Sequence, residues 1–190
     1  MKKLWATLLV LISVSAVNAA IIDWNCADDG DGAIVMTNPT RNYDSGTGEY
    51  SLAVNCVQDW YPGHIEGEFI TDTELDPTVW FMQTIDNDTD FAWTDYHITI
   101  TMNKSFTLSN ASGPDDWTAI ITAPVQSGSQ WIGSVDYYAG TPIQIGESGD
   151  FGFKMSFLGS VQFCTEQYPT PEPATVAILA LGALALRKRK

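Results

Sequence analysis

The chain has 190 residues, a sequence pI near 4.1 and a formal net charge of −14, from 9 Lys+Arg against 23 Asp+Glu. That length suits one domain of ordinary size with its own core. The acidity excludes nucleic-acid binding, which needs clustered Lys and Arg. The 45% hydrophobic content excludes disorder by composition, and three Cys exclude a knottin-like disulfide framework.

The charge divides the chain. Lys2 and Lys3 open it, and Arg187, Lys188, Arg189 and Lys190 close it. Between them, residues 20–170 hold 22 acids and three bases (Arg41, Lys104 and Lys154), a net of −19. Two basic, apolar ends therefore flank a strongly acidic body.

The first segment, 1–19, reads as a secretory signal peptide with a short helix. Lys2 and Lys3 form its positive start, and Leu4 to Val14 form its apolar stretch. Val17 and Ala19 are the small residues that a signal peptidase accommodates, so cleavage after Ala19 is expected. The apolar stretch is short for a span, which needs about 20 residues.

The body, 20–168, reads as all-β. Tyr50, Leu52, Val54 and Cys56 alternate with less apolar neighbours, as do Tyr96, Ile98, Ile100 and Met102, and Phe151, Phe153, Met155 and Phe157. Further strands are expected at 33–37, 64–71, 78–85, 118–123, 130–138 and 161–164. Turn clusters at 44–48, 86–90, 112–116 and 146–150 separate them. About nine short strands so spaced predict an antiparallel β-sandwich, jelly-roll-like.

Several residues of the body are candidates for chemistry. Asp28, Asp29 and Asp31, with Gly30 and Gly32, place three carboxylates in one flexible turn, the oxygen-rich kind that calcium favours. Ordinary turn chemistry is the plainer reading, and no other cofactor is expected. Asp86, Asp88 and Asp90 start an EF-hand spacing, but Phe91 and His97 stand where Gly and Glu are needed. Cys26 and Cys56 share parity with apolar strand positions, which favours a disulfide between them after export. Cys26–Cys164 is the rival pairing, and three free thiols the remaining alternative.

The body offers no catalytic triad, because only His64 and His97 exist and neither accompanies a nucleophile motif. Glu66, Glu68, Asp72 and Glu74 are the nearest set for a carboxylate-dependent glycosidase, and an exposed acidic strand face is the plainer reading. The expectation is a non-enzymatic protein. Trp60, Tyr61 and Trp117 lie at turns, where aromatic faces could stack on sugar rings. A carbohydrate-binding module is thus the alternative function.

The last segment, 169–190, is the most specific. It holds Pro171-Glu172-Pro173, an apolar run over 175–186 that favours a helix, and the basic cluster 187–190. The prolines are expected to hold the start of the segment extended and outside any sheet. The thirteen residues 174–186 would rise roughly 20 Å as a helix, against about 30 Å of hydrocarbon.

These three features, in this order at the C-terminus, resemble the PEP-CTERM sorting signal of bacterial exosortase substrates. The resemblance implies export, transient retention in the inner membrane by the C-terminal helix, and processing near Pro171-Glu172-Pro173 by an exosortase. It also implies a Gram-negative-type cell surface or extracellular matrix as the destination. Signal peptidase and exosortase are then the expected partners, with exopolysaccharide a further one. The expected role is structural or adhesive.

Overall fold

A computed structural model describes residues 19–59 and 61–171. The expected signal helix, Trp60, Glu172, Pro173 and the expected C-terminal hydrophobic helix lie outside the described residues. Among the described residues no helix is long and apolar enough to cross a membrane.

Eleven strands form two stacked sheets. They are β1 (Ile21–Asp28), β2 (Ile34–Asp44), β3 (Glu49–Gln58), β4 (Gly63–Thr71), β5 (Thr78–Asn87), β6 (Trp93–Met102), β7 (Phe106–Ser112), β8 (Thr118–Ser127), β9 (Gln130–Ile143), β10 (Ser148–Phe157) and β11 (Val161–Pro171). Sheet A has the order β1-β4-β11-β6-β9-β8, and sheet B the order β2-β3-β5-β10-β7. The expected all-β sandwich is therefore present. Neighbours pair antiparallel, except β3 and β5, which run parallel.

Alternation produces the layers. Residues of one parity along β3, β5, β6, β10 and β11 face inward, and the other parity faces out. The core is unusually aromatic: Trp93, Tyr96, Tyr137, Phe69, Phe81, Phe151, Phe153 and Phe157 are all fully buried. Phe69 stacks between Phe157 and Phe163, with ring centroids 5.4 and 5.3 Å away. Most of the aromatic residues that enrich the composition thus fill the space between the sheets.

Two strands beyond the nine expected, β1 and β7, complete the sheets. A bulge between Ile21 and Asp23 shifts the parity of β1, so Ile22 is exposed while Trp24 and Cys26 are partly buried. The end of the body also needs correction. Pro171 does not stand outside the sheet: β11 continues through Pro169, Thr170 and Pro171, opposite Tyr96, Asp95 and Trp93 of β6. Pairing of β11 with β4 stops at Gln167. Beyond it β11 has a neighbour on one side only, where a proline nitrogen facing the open side costs no ladder bond.

Candidate functional site

The outer face of sheet A gathers the polar residues that chemistry would use. Register places Glu166 beside His64, Cys164 beside Glu66 and Gln162 beside Glu68 across β11 and β4. On the other side of β4, Ala27 and Asn25 of β1 stand opposite Glu66 and Glu68. A depression of about 490 Å³ lies over this face, lined among others by Asn25, Asp28, Glu66, Glu68, Gln162 and Cys164.

At one end of this face the turn after β1 meets the start of β4. Gly30 and Gly32 adopt φ of 77° and 85°, the left-handed conformation that glycine tolerates. Asp28 is consumed by the turn: its Oδ1 accepts from Gly30 N at 3.1 Å and its Oδ2 from Met36 N at 2.8 Å. Asp29 Oδ1 accepts from Asp31 N, and Asp31 Oδ1 from Ala33 N. The backbone N–H of Asp31, first of all, holds the Asp29 carboxyl below its ordinary range, with the Asp31 side chain and His64 adding to this.

His64 completes the arrangement. Its Nδ1 lies 3.1 Å from Asp29 Oδ2, and its Nε2 lies 3.5 Å from Glu166 Oε2. The ligand atoms of Asp29, Asp31 and His64 all lie within 4.8 Å of one another. Gly63 permits the approach, because a Cβ there would stand 2.5 Å from Ile34 Cβ. The acidic turn was readable in the sequence, but the part of His64 was not. It depends on β1 and β4 being neighbours, 35 residues apart in the chain.

The other candidates are dispersed. Glu66 and Glu68 sit side by side on β4, and Glu68 accepts from Asn25 Nδ2 at 2.7 Å. Asp72 accepts from the Ala20 N–H, and Glu74 pairs with Lys104. Tyr61 is exposed. Trp117 is only 8% exposed, donates its Nε1–H to Thr141 O at 2.8 Å and packs edge-on to Phe151, so it offers no free stacking face. Cys26, Cys56 and Cys164 are all free thiols. Burial pushes Cys26 and Cys56 up to about 12, and burial, with the carboxylates around it, also raises Cys164. Cys26 Sγ points to Met36 Sδ at 3.8 Å, and Met36 is the strand partner of Cys56.

A different aromatic occupies the outer face of sheet B. Trp80 faces out where Phe81 faces in, and Lys154 Nζ stands 5.2 Å over its ring. Lys154 is held there by both carboxylate oxygens of Glu49, at 2.7 and 2.6 Å. Trp80 and Met82 are shared by two adjoining depressions of about 480 and 360 Å³. Asn55, Thr84 and Asp150 line one, and Asn42 and Tyr43 the other.

The three basic residues of the body are all engaged. Arg41 donates to Ile21 O at 2.6 Å, Lys104 pairs with Glu74, and Lys154 with Glu49. The remaining acids leave the surface strongly negative.

The chain ends on its most telling segment. Residues 169–190 match the model of the PEP-CTERM protein-sorting motif. The chain thus carries a PEP-CTERM sorting motif over these residues. That motif is the recognition signal for exosortase processing, and it indicates export and sorting to the cell envelope. No curated protein and no solved structure matches the chain. The PEP-CTERM match begins at Pro169, so motif and sandwich share Pro169, Thr170 and Pro171.

Proposed function

We propose that this PEP-CTERM protein is a structural or adhesive component of the outer cell surface or extracellular matrix, without enzymatic activity. One observation carries the reading: a folded, acidic β-sandwich runs without a spacer into the sorting motif. What an exosortase would deliver is then the sandwich itself.

Other features support it. Glu66 and Glu68 are neighbours on one strand, whereas glycoside hydrolysis needs two carboxyls facing each other across a substrate, about 5–10 Å apart. The net charge of −19 over 20–170 disfavours anionic polymers and membrane surfaces as direct ligands and leaves neutral glycans and cations. The expected destination is the surface of a Gram-negative-type bacterium, reached by way of a signal peptidase, with transient anchoring by the C-terminal helix.

A second reading, carbohydrate binding, is favoured by the Trp80 groove. An outward indole flanked by Asn, Thr and Asp side chains suits stacking and hydrogen bonding to a neutral sugar. A glycan array probed with the full chain and with Trp80→Ala tests both readings. The structural role predicts no saturable glycan binding by either protein. Binding by the wild type that Trp80→Ala abolishes would replace it with the carbohydrate-binding reading.

A further inference from the structure

We propose that Asp29, Asp31 and His64 bind one divalent transition-metal ion of the zinc class, with Glu166 as a positioning residue for the His64 ring. Three observations lead there. First, the donor atoms converge from separate segments: two carboxylates from the turn after β1 and an imidazole from β4, all within 4.8 Å of one another. Zinc bonds to His nitrogen and carboxylate oxygen are about 2.0–2.2 Å long, so two such ligands on one tetrahedral ion stand roughly 3.3 Å apart. The 3.1 Å between His64 Nδ1 and Asp29 Oδ2 fits that spacing.

Second, His64 has a carboxylate at each ring nitrogen, Asp29 at Nδ1 and Glu166 at Nε2. A neutral imidazole has one N–H and one lone pair. It can donate to one of these carboxylates, but then aims its lone pair at the other, and ionised carboxylates only accept. Two arrangements satisfy both carboxylates: an N–H at each ring nitrogen, or a cation between the Nδ1 lone pair and Asp29. In the tautomer with its proton on Nε2, the nitrogen 3.5 Å from Glu166 Oε2, the ring has its lone pair on Nδ1, beside Asp29 Oδ2. That is the carboxylate–histidine–metal relay in which an outer carboxylate fixes the tautomer of a ligating His.

Third, the composition of the donor set selects the ion. Calcium takes six to eight oxygens, but both oxygens of Asp28 already accept backbone N–H groups, from Gly30 in the turn and from Met36 in β2. What remains is one nitrogen and two carboxylates, the mixed set that suits zinc and its neighbours. Three protein ligands leave one position of a tetrahedral ion open to solvent.

Titration of the metal-free full chain with Zn²⁺ by calorimetry, and with Co²⁺ by visible absorption, tests this. The expected result is one Zn²⁺ per chain, four-coordinate Co²⁺ bands, and Ca²⁺ affinity at least about tenfold lower than that for Zn²⁺. His64→Gln and Asp31→Asn each weaken Zn²⁺ binding by about tenfold or more, and Glu166→Gln by roughly 10–100-fold. Circular dichroism verifies that the variants remain folded, as their surface positions imply. Absence of saturable Zn²⁺ binding would overturn the proposal. So would binding indifferent to both His64→Gln and Asp31→Asn, or Ca²⁺ binding as tight as Zn²⁺.

Discussion

Pro171, the first residue of the Pro-Glu-Pro, stands opposite Trp93 across β11 and β6. The sorting motif therefore begins inside sheet A. Removing residues 172–190 leaves β11 whole and should leave the stability of the sandwich unchanged. Removing 169–190 takes away the strand end that covers Tyr96, Asp95 and Trp93, and should cost about 1–3 kcal/mol. Urea unfolding of the two truncations makes the comparison. Identical midpoints would mean that residues 169–171 contribute nothing to the sheet.

A buried polar chain links the two sheets. Tyr96 Oη lies 3.1 Å from both Gln58 Oε1 and Gln167 Oε1, and Gln83 Nε2 donates to Gln167 Oε1 at 2.8 Å. Tyr96→Phe removes the hydroxyl donor from this cluster and is expected to destabilise by about 1–3 kcal/mol. Gln83→Met should cost less, because Gln83 Oε1 is buried without a partner among the described residues and its removal ends that penalty. Equal losses in the two variants would contradict this account of the core.

The thiols differ in exposure. Cys26 and Cys56, pushed up to about 12 by burial, carry very little thiolate at pH 8. Cys164 lies on the outer face of sheet A and should be alkylated first in the native protein. Unfolding without reductant should then release three reactive thiols; one alone would reveal a Cys26–Cys56 bond. The sign of the pH dependence follows. These two thiols ionise more easily unfolded, near pH 8.5, than folded. Their contribution to stability is complete below that pH and is lost as pH rises toward about 12. A stability that rises with pH across this window would refute the sign.

The start of the body makes its own prediction. Ala20 N donates to Asp72 Oδ1 at 2.8 Å. Cleavage after Ala19 would turn that amide into an ammonium group and the hydrogen bond into an ion pair. N-terminal sequencing of the exported protein should begin at Ala20, and Asp72→Ala should lower stability by at most about 1 kcal/mol. A mature chain that begins at another residue would contradict the cleavage site.

Much of the fold was legible because β-alternation is local. Tyr96 to Met102 and Phe151 to Phe157 declare which side is buried without reference to any partner. β7 was harder, since Ser109, Asn110 and Ser112 dilute the apolar positions of an edge strand. Pro171 misled for a physical reason: proline excludes a doubly paired strand, and only the topology reveals that β11 loses one neighbour after Gln167. The Asp29–His64 contact had no local signature, because it is made by β1 pairing with β4. Trp117 stands at a turn, where an outward ring is the common case, but the turn folds its ring back onto Phe151.

The PEP-CTERM motif marks the protein for export and sorting. Intact-mass analysis of the protein recovered from the cell envelope, beside a chain lacking 171–190, tests it most directly. The account predicts a mature wild-type chain whose C-terminus lies near Pro171-Glu172-Pro173, and a truncated chain that is lost from its normal site. A surface protein that still ends at Lys190, or a truncated chain located and processed like the wild type, would contradict it.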